Sequence, residues 1–464
     1  MVELPEAFVS QTRQLMGEER FARYLAAFDE EPPVSIRLNP RCLPLSPCKE
    51  KGDDVVPWCP LGLYLPTRPN FTFDPLLHAG CYYVQEAASM FIHHVLLSVK
   101  SLELSDKCLE LSDKCLELSD ECLELRDFSS APHHSTEVSQ LSTEVSQLST
   151  EVSQHSTLNT QRTTLLDLCA APGGKSTCAI SALPAGSKLW SNEPVRQRAS
   201  ILSENIQKWG YPNCIVTNSY PRDYARSGLT FDIILCDVPC SGEGMFRKDL
   251  QTIGEWSPQQ VEKCWRLQRD IVSDAWQCLR PGGILIYSTC TFNTKENEEN
   301  VSWMLEQFDA ELLPIPIQPE WGITGSLLDG FTGPVYRFIP GITRSEGLFV
   351  AVLRKKDGHL AKGKNKKQPP LNIIFDSSQP HDMPVVSVEL NYADAISYLQ
   401  RQALRLPADT PRGLVEVRFQ GHALGLVKNI GTRANNLYPK EWAIRSTHVP
   451  QDYQPVWAWG DATI

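Results

Sequence analysis

The chain has 464 residues, roughly three times a common ~150-residue domain, and 42% of them are apolar and 21% charged, which excludes wholesale disorder. Its 44 basic and 55 acidic residues give a formal charge of −11, which speaks against a nucleic-acid partner until the charge is located. Residues 101–157 hold 12 acids and 3 bases, leaving 43 acids against 41 bases elsewhere, so one segment alone makes the chain look acidic.

No stretch approaches the ~18 apolar residues of a membrane helix. The start, MVELPEAFVSQTRQLMGEERF, has no basic cluster followed by an apolar run, so no signal peptide is expected. Fifteen cysteines, an odd number, read as reduced thiols in a cytoplasmic protein. None forms a CxxC pair, so no metal is expected.

In chain order, the acidic segment is made of two tandem heptads, LELSDKC from Leu102 and STEVSQL from Ser135. Cys108, Leu111, Cys115, Leu118, Cys122 and Leu125, then Val138, Leu141, Val145, Leu148 and Val152, follow the a/d spacing of a coiled-coil seam. Three heptads of Ser- and Thr-rich sequence are marginal, and a loop insertion costs little closure entropy, so a low-complexity surface insertion in a monomer is expected over a docking helix pair. Beyond it, Thr163–Leu168, Lys188–Ser191, Cys214–Thr217, Phe231–Cys236, Ile284–Ser288 and Leu348–Leu353 read as buried strands. Helices are expected over Pro194–Trp209, stopped by Gly210, and over Ser257–Leu279, closed by Pro281, Gly282 and Gly283. Strands alternating with helices predict an α/β fold, a doubly wound, mostly parallel Rossmann-like sheet. From Arg354 to Lys367 there are seven bases and one acid, followed by Pro369 and Pro370. That reads as a flexible linker over 355–372. The remaining 373–464 mixes a helix near Tyr392–Leu404 with strands Leu414–Phe419 and Ala423–Val427, and reads as a small separate domain.

The chemistry falls on three loops. Directly after the first core strand stands Cys169-Ala170-Ala171-Pro172-Gly173-Gly174-Lys175-Ser176. Its glycines allow close backbone approach to a ligand at a helix start. A phosphate-binding P-loop needs glycine where Cys169 stands, and the GxGxxG dinucleotide fingerprint is absent. Glu193, 20 residues after Gly173, ends the second strand, where an acid holds ribose hydroxyls in dinucleotide folds. Together these suggest an adenosine-containing cofactor without a required pyrophosphate.

The fourth strand runs into Asp237-Val238-Pro239-Cys240-Ser241-Gly242-Glu243-Gly244-Met245-Phe246-Arg247-Lys248, and the fifth into Ser288-Thr289-Cys290-Thr291-Phe292-Asn293. Lone cysteines at strand ends are usually small core hydrophobes. Two at neighbouring carboxyl ends, beside an acid, suit nucleophilic chemistry. Carbon 5 of cytosine is a poor nucleophile; thiolate attack at carbon 6 turns the ring into an enamine that accepts a methyl group.

LDLCAAPGGKST, SNEP, LCDVPCSGEGMFRKD and YSTCTFNTKENEENV resemble the signature loops of the Sun/Nop-type RNA (cytosine-5)-methyltransferases. Ser35-Ile36-Arg37-Leu38-Asn39 and Tyr83-Val84-Gln85-Glu86-Ala87-Ala88-Ser89-Met90 are similar to the family's N-terminal motifs. Gly425-Leu426-Val427-Lys428 and Arg433-Ala434-Asn435-Asn436-Leu437-Tyr438-Pro439 resemble the PUA-like tail of its F-type subgroup, bacterial enzymes of small-subunit (16S) ribosomal RNA. The resemblance implies an N-terminal RNA-binding domain over 1–75, a methyltransferase core over 76–354 interrupted by 101–157, and a PUA-like region over 373–464. It implies S-adenosyl-L-methionine held by Cys169–Lys175, Glu193 and Asp237. It also implies Cys290 as the nucleophile, Cys240 as the thiol that helps expel the enzyme from product, and Asp237 on the cytosine edge. Lys175 would point to the same crevice, while Arg247 and Lys248 would meet RNA phosphates. The target base would have to leave any stack.

Three features depart from the family. Tyr220 falls where relatives carry an acid for the cofactor's adenine, leaving Asn218 or Asp223 to substitute. Tyr336-Arg337-Phe338-Ile339-Pro340 lacks a histidine common in relatives, and the heptad segment has no counterpart and would repel RNA. Competing readings are a DNA cytosine-5 methyltransferase in which the Pro-Cys thiol attacks, a catalytically silent RNA-binding or ribosome-assembly factor, and tRNA as the substrate.

Overall fold

A computed structural model describes residues 2–42, 54–102, 162–356, 371–378, 386–446, 448–450, 453 and 455–456. The heptad segment, apart from the end of a helix over 91–102, lies outside the described residues, as does the linker over 357–370.

The N-terminal helices Glu6–Met16 and Glu18–Ala26 lead into an antiparallel sheet. In it β1 (Val34–Leu38) pairs with both β2 (Gly62–Leu65) and β3 (Tyr82–Val84). This sheet therefore runs past residue 75, because β3 closes on β1 with Arg37 opposite Tyr83.

The central sheet is built from β4 (Thr164–Asp167), β5 (Lys188–Asn192), β6 (Cys214–Thr217), β7 (Phe231–Asp237) and β8 (Leu279–Thr289), ordered β6-β5-β4-β7-β8 and all parallel. Their sequences are continuous apolar runs because both faces are covered. Leu165, Ile233, Leu235, Ile284 and Ile286 pack to one side with Leu202 and Ile206 of the helix Arg196–Trp209. Leu166, Ile234, Cys236, Leu285 and Tyr287 pack to the other with Ile271, Val272 and Trp276 of the helix Pro258–Cys278. Gly210 ends the first helix in the left-handed conformation, φ 72°, and Ser257 caps the second through the Gln260 N–H.

Several expectations shift. Pro281, Gly282 and Gly283, expected to close the helix, lie beyond its end at Cys278. β8 starts at Leu279, directly after the helix, and the three lie in its irregular first part, where pairing with β7 shifts register between Phe231 and Ile233. Beyond β8 the sheet is extended antiparallel by β9 (Ala310–Leu312), β10 (Tyr336–Phe338) and β11 (Leu348–Lys355). Lys355, expected at the start of a linker, is buried at the end of β11, with Nζ donating to the carbonyls of Trp276 and Leu279. β12 (Ile373–Asp376) joins the opposite edge, antiparallel to β6, so the core extends past 372.

The tail forms β13 (Ser387–Glu389), β14 (Gly413–Phe419), β15 (His422–Asn429) and β16 (Ala434–Asn436) around the helix Tyr392–Leu399. It is not an independent body. Leu390, Ala395, Leu399, Val417 and Phe419 share one apolar cluster with Ile36, Leu38, Leu76 and Tyr82 of the N-terminal region. Among the described residues no helix is long and apolar enough to cross a membrane.

Candidate active site

β7 and β8 are neighbours in register, with Asp237 opposite Ser288, so the loops leaving them start side by side. Cys240 and Cys290 consequently meet, Sγ to Sγ, at 3.2 Å, and the Cys290 N–H donates to the Cys240 sulfur at 3.4 Å. Both are partly exposed. The hydrogen bond with Cys290, then burial, raise the Cys240 thiol well above its ordinary range, so Cys240 keeps its proton.

Two buried carboxylates staple the loops together. Glu243 accepts the backbone N–H groups of Phe292 and Asn293 at 2.7 and 3.0 Å, and the Trp256 indole N–H at 3.0 Å. Glu296 accepts the Ser241 N–H at 3.0 Å and the Gln268 and Asn293 amides at 2.7 and 2.9 Å. Burial, opposed by the hydrogen bonds from Ser241 and Asn293, pushes Glu296 up to about 7. The Gly244 N–H donates to the Cys290 carbonyl at 2.6 Å, and a Cβ on Gly244 would stand 2.3 Å from that oxygen. Glycine is required there by close approach. These staples were not assigned roles from sequence; the signal was the acids and amides inside SGEG and TFNTKENE.

Asp237, at the tip of β7, accepts the Lys175 ammonium at 2.9 Å on one oxygen and the Ser288 hydroxyl at 2.7 Å on the other. Burial works against the Lys175 charge, but the Asp237 carboxylate and its hydrogen bond, then Cys290, outweigh it and raise the lysine. Lys175 is thus the cation of the crevice. Burial also raises the Cys169 thiol, making it unsuited to act as a thiolate.

The loop Cys169–Lys175 turns tightly: Ala171–Pro172 is cis, and Gly173 has φ 112° just before the helix Gly174–Ala182. Ala170 N–H donates to the Asn192 carbonyl, and Asn205 donates to the Pro172 carbonyl at 2.7 Å, holding the loop against β5 and the next helix. Glu193 is buried; it accepts the Val195 N–H at 2.9 Å and lies 3.3 Å from Arg198, which also donates to the Ala171 carbonyl. Free N–H groups at a helix start, a positive-φ glycine and a carboxylate across the loop fit a nucleoside-bearing cofactor such as S-adenosylmethionine. Beneath the loop, Asp167 is fully buried and accepts the Ser176 hydroxyl at 2.7 Å. Burial pushes it up to about 7.

The N-terminal sheet braces this loop. Arg37 is buried, donates to Gln85 at 2.7 Å and to Thr177 at 2.6 Å, and stacks over Trp209 at 4.4 Å. Arg247 is where the sequence expectation fails. It is ion-paired at 2.9 Å with buried Glu346 and donates to the Glu30 carbonyl, so it ties the Cys240 loop to the N-terminal region and is not displayed to a phosphate. Lys248 is exposed. Of the residues named for the adenine contact, Asn218 donates to the carbonyls of Glu193 and Pro194, and Asp223 accepts the Tyr220 N–H as part of a helix cap. Arg337, in the stretch lacking the family histidine, is fully buried against Glu298.

Three family models match in chain order: the N-terminal domain of 16S rRNA methyltransferase RsmF over residues 4–87, 16S rRNA methyltransferase RsmB/F over 156–354, and the methyltransferase RsmF PUA domain over 385–444. The ribosomal RNA small subunit methyltransferase F of Pectobacterium carotovorum is 39% identical over 198 residues, 41% of this chain and 40% of the relative. That of Aliivibrio fischeri is 28% identical over 368 residues, 76% and 64% respectively. The matched part spans less than two thirds of the length of these curated relatives. A methyltransferase homologue from Pyrococcus horikoshii shares the fold, with a TM-score of 0.52 at 23% identity over 76% of this chain and 96% of that one. The N-terminal sheet, the central sheet and the tail each match their counterpart in order, and in all three regions the chain is similar to the RsmB/F family of 16S rRNA methyltransferases.

Proposed function

We propose that this chain transfers a methyl group from S-adenosylmethionine to carbon 5 of a cytidine in RNA, with small-subunit ribosomal RNA as substrate, through a transient bond between Cys290 and carbon 6. The observation that carries this reading is the 3.2 Å approach of Cys240 and Cys290 beside the Lys175–Asp237 pair. The family supports methyl transfer, and the PUA match supports an RNA substrate.

Asp237 would accept hydrogen bonds from the amino group and from a protonated N3 of the cytosine, favouring the ring form in which a proton at N3 neutralises the charge that attack places there. Lys175, held charged against its burial by Asp237, brings positive charge to the crevice beside Cys290. Cys290 attacks carbon 6: a carbon–sulfur bond forms and the 5,6 double bond opens, leaving carbon 5 electron-rich. S-adenosylmethionine, when bound along Cys169–Lys175 and Glu193, supplies the electrophilic methyl group. Water then takes the proton from methylated carbon 5, the 5,6 double bond re-forms, and the electron pair of the breaking carbon–sulfur bond returns to the Cys290 sulfur. Cys240, protonated and beside Cys290, is positioned to assist that expulsion. Glu243 and Glu296 hold the two loops in the required register and need not touch the base.

The test is transfer of labelled methyl groups to small-subunit RNA, followed by bisulfite mapping. Wild type should protect a cytidine that remains unprotected with Cys290→Ala. Undiminished transfer by the variant, or methylation of another base, overturns the reading.

A further inference from the structure

Outside the crevice, three donors from distant parts of the chain converge. Cys42 follows β1, Cys81 precedes β3 and His422 opens β15; their Sγ and ring nitrogen atoms all lie within 4.8 Å of one another. Cys81 is buried, and Cys42 and His422 are partly exposed. We infer that Cys42, Cys81 and His422 form a site for a thiolate-preferring divalent cation of the zinc class, joining the N-terminal sheet to the C-terminal hairpin.

Each donor sits on backbone that is already fixed. The Asn39 N–H donates to the Cys81 carbonyl at 2.8 Å and the Asn39 carbonyl accepts from the Cys42 N–H at 2.9 Å, so one residue sets the spacing of both cysteines. The Asn39 side chain in turn donates to the carbonyls of Gly80 and Trp209. His422 lies directly after the tight turn of Gln420 and Gly421, with φ of 49° and 77°, and pairs with Phe419 across the hairpin. The Gly421 N–H is anchored on Glu389 at 3.1 Å. Two soft sulfurs and an imidazole are zinc ligands. Tetrahedral zinc with bonds of roughly 2.0–2.3 Å sets its ligand atoms about 3.5–3.8 Å apart, so the donors need to close by at most about 1 Å. Two protein segments are then clamped by three bonds, with the fourth position open to water. Binding would release a proton from each thiol that ionises. The ligands are separated by up to hundreds of residues, which is why CxxC spacing gave no sign of them.

Cobalt(II) titration of the full chain, reduced with a phosphine, tests the site. Wild type should bind one equivalent with thiolate-to-cobalt charge transfer and tetrahedral d–d bands, and zinc should displace it. Cys42→Ser and His422→Gln should bind at least about tenfold more weakly, while Cys290→Ala keeps the full signal. One equivalent of zinc should raise the melting temperature of wild type by several degrees and leave that of His422→Gln unmoved. An absent charge-transfer band, equal binding by His422→Gln, or a signal lost only in Cys290→Ala overturns the proposal. So does thiol counting that finds a Cys42–Cys81 disulfide in the unreduced chain together with no cobalt binding after reduction.

Discussion

Cys240 and Cys290 meet at the carboxyl ends of two parallel strands, whereas Cys42 and Cys81 meet where the N-terminal sheet faces the β14–β15 hairpin. The first pair lies beside a lysine–aspartate ion pair and two loops stapled by buried acids. The second is accompanied by an imidazole and by apolar side chains from both regions. The same functional group is thereby directed to two ends. On the functions proposed above, a lysine and a carboxylate beside a crevice would prepare a thiol for attack on a ring, while a third donor from another segment would prepare thiols to share a metal.

Removing the proposed nucleophile should separate the two pairs most sharply. Cys290→Ala should lower methyl transfer at least about a thousandfold, and a loss under tenfold would move the chemistry to another residue. Next is the buried acid that staples the loops of the first pair. Glu243→Ala strands the N–H groups of Phe292, Asn293 and Trp256 in a buried site and should cost about 3–5 kcal/mol in urea unfolding. A change below 1 kcal/mol, on the order of one ordinary hydrogen bond, would contradict its role.

A pH experiment probes the buried acid under the crevice. The folded-state value of Asp167, about 7, lies above its ordinary 3.8, so the fold favours the protonated form. Its contribution is fully present below about pH 4 and is lost as pH rises through about 7. Between pH 5 and 8 wild type should therefore lose on the order of 2 kcal/mol relative to Asp167→Asn. Identical pH slopes in urea unfolding would remove the argument. The smallest effect is expected at the surface. Lys248→Ala should weaken RNA binding a few-fold and flatten its salt dependence, whereas Arg247→Ala should chiefly lower stability, since its partner Glu346 is buried.

The strands were legible because a sheet covered on both faces leaves apolar runs that start and stop cleanly; Cys214–Thr217 matches residue for residue. Gly210 was legible as a helix stop for the same local reason. The pairing of Cys240 with Cys290 followed from strand order, since adjacent carboxyl ends must share a crevice. What sequence could not supply was partner choice over long distance. Arg247 looked like a phosphate ligand because nothing local announces Glu346, 99 residues on. The tail looked independent because its core is completed by Ile36, Leu38 and Tyr82 from the other end of the chain. The role of Glu296 was hidden similarly, since its partners Ser241 and Gln268 lie on other elements.

The most direct test of the account follows the covalent bond itself. Incubated with substrate RNA and S-adenosylmethionine, Cys240→Ala should accumulate an enzyme–RNA adduct that survives a denaturing gel, and the double variant Cys240→Ala/Cys290→Ala should form none. An adduct trapped by Cys290→Ala alone would reverse the two roles and contradict the central claim.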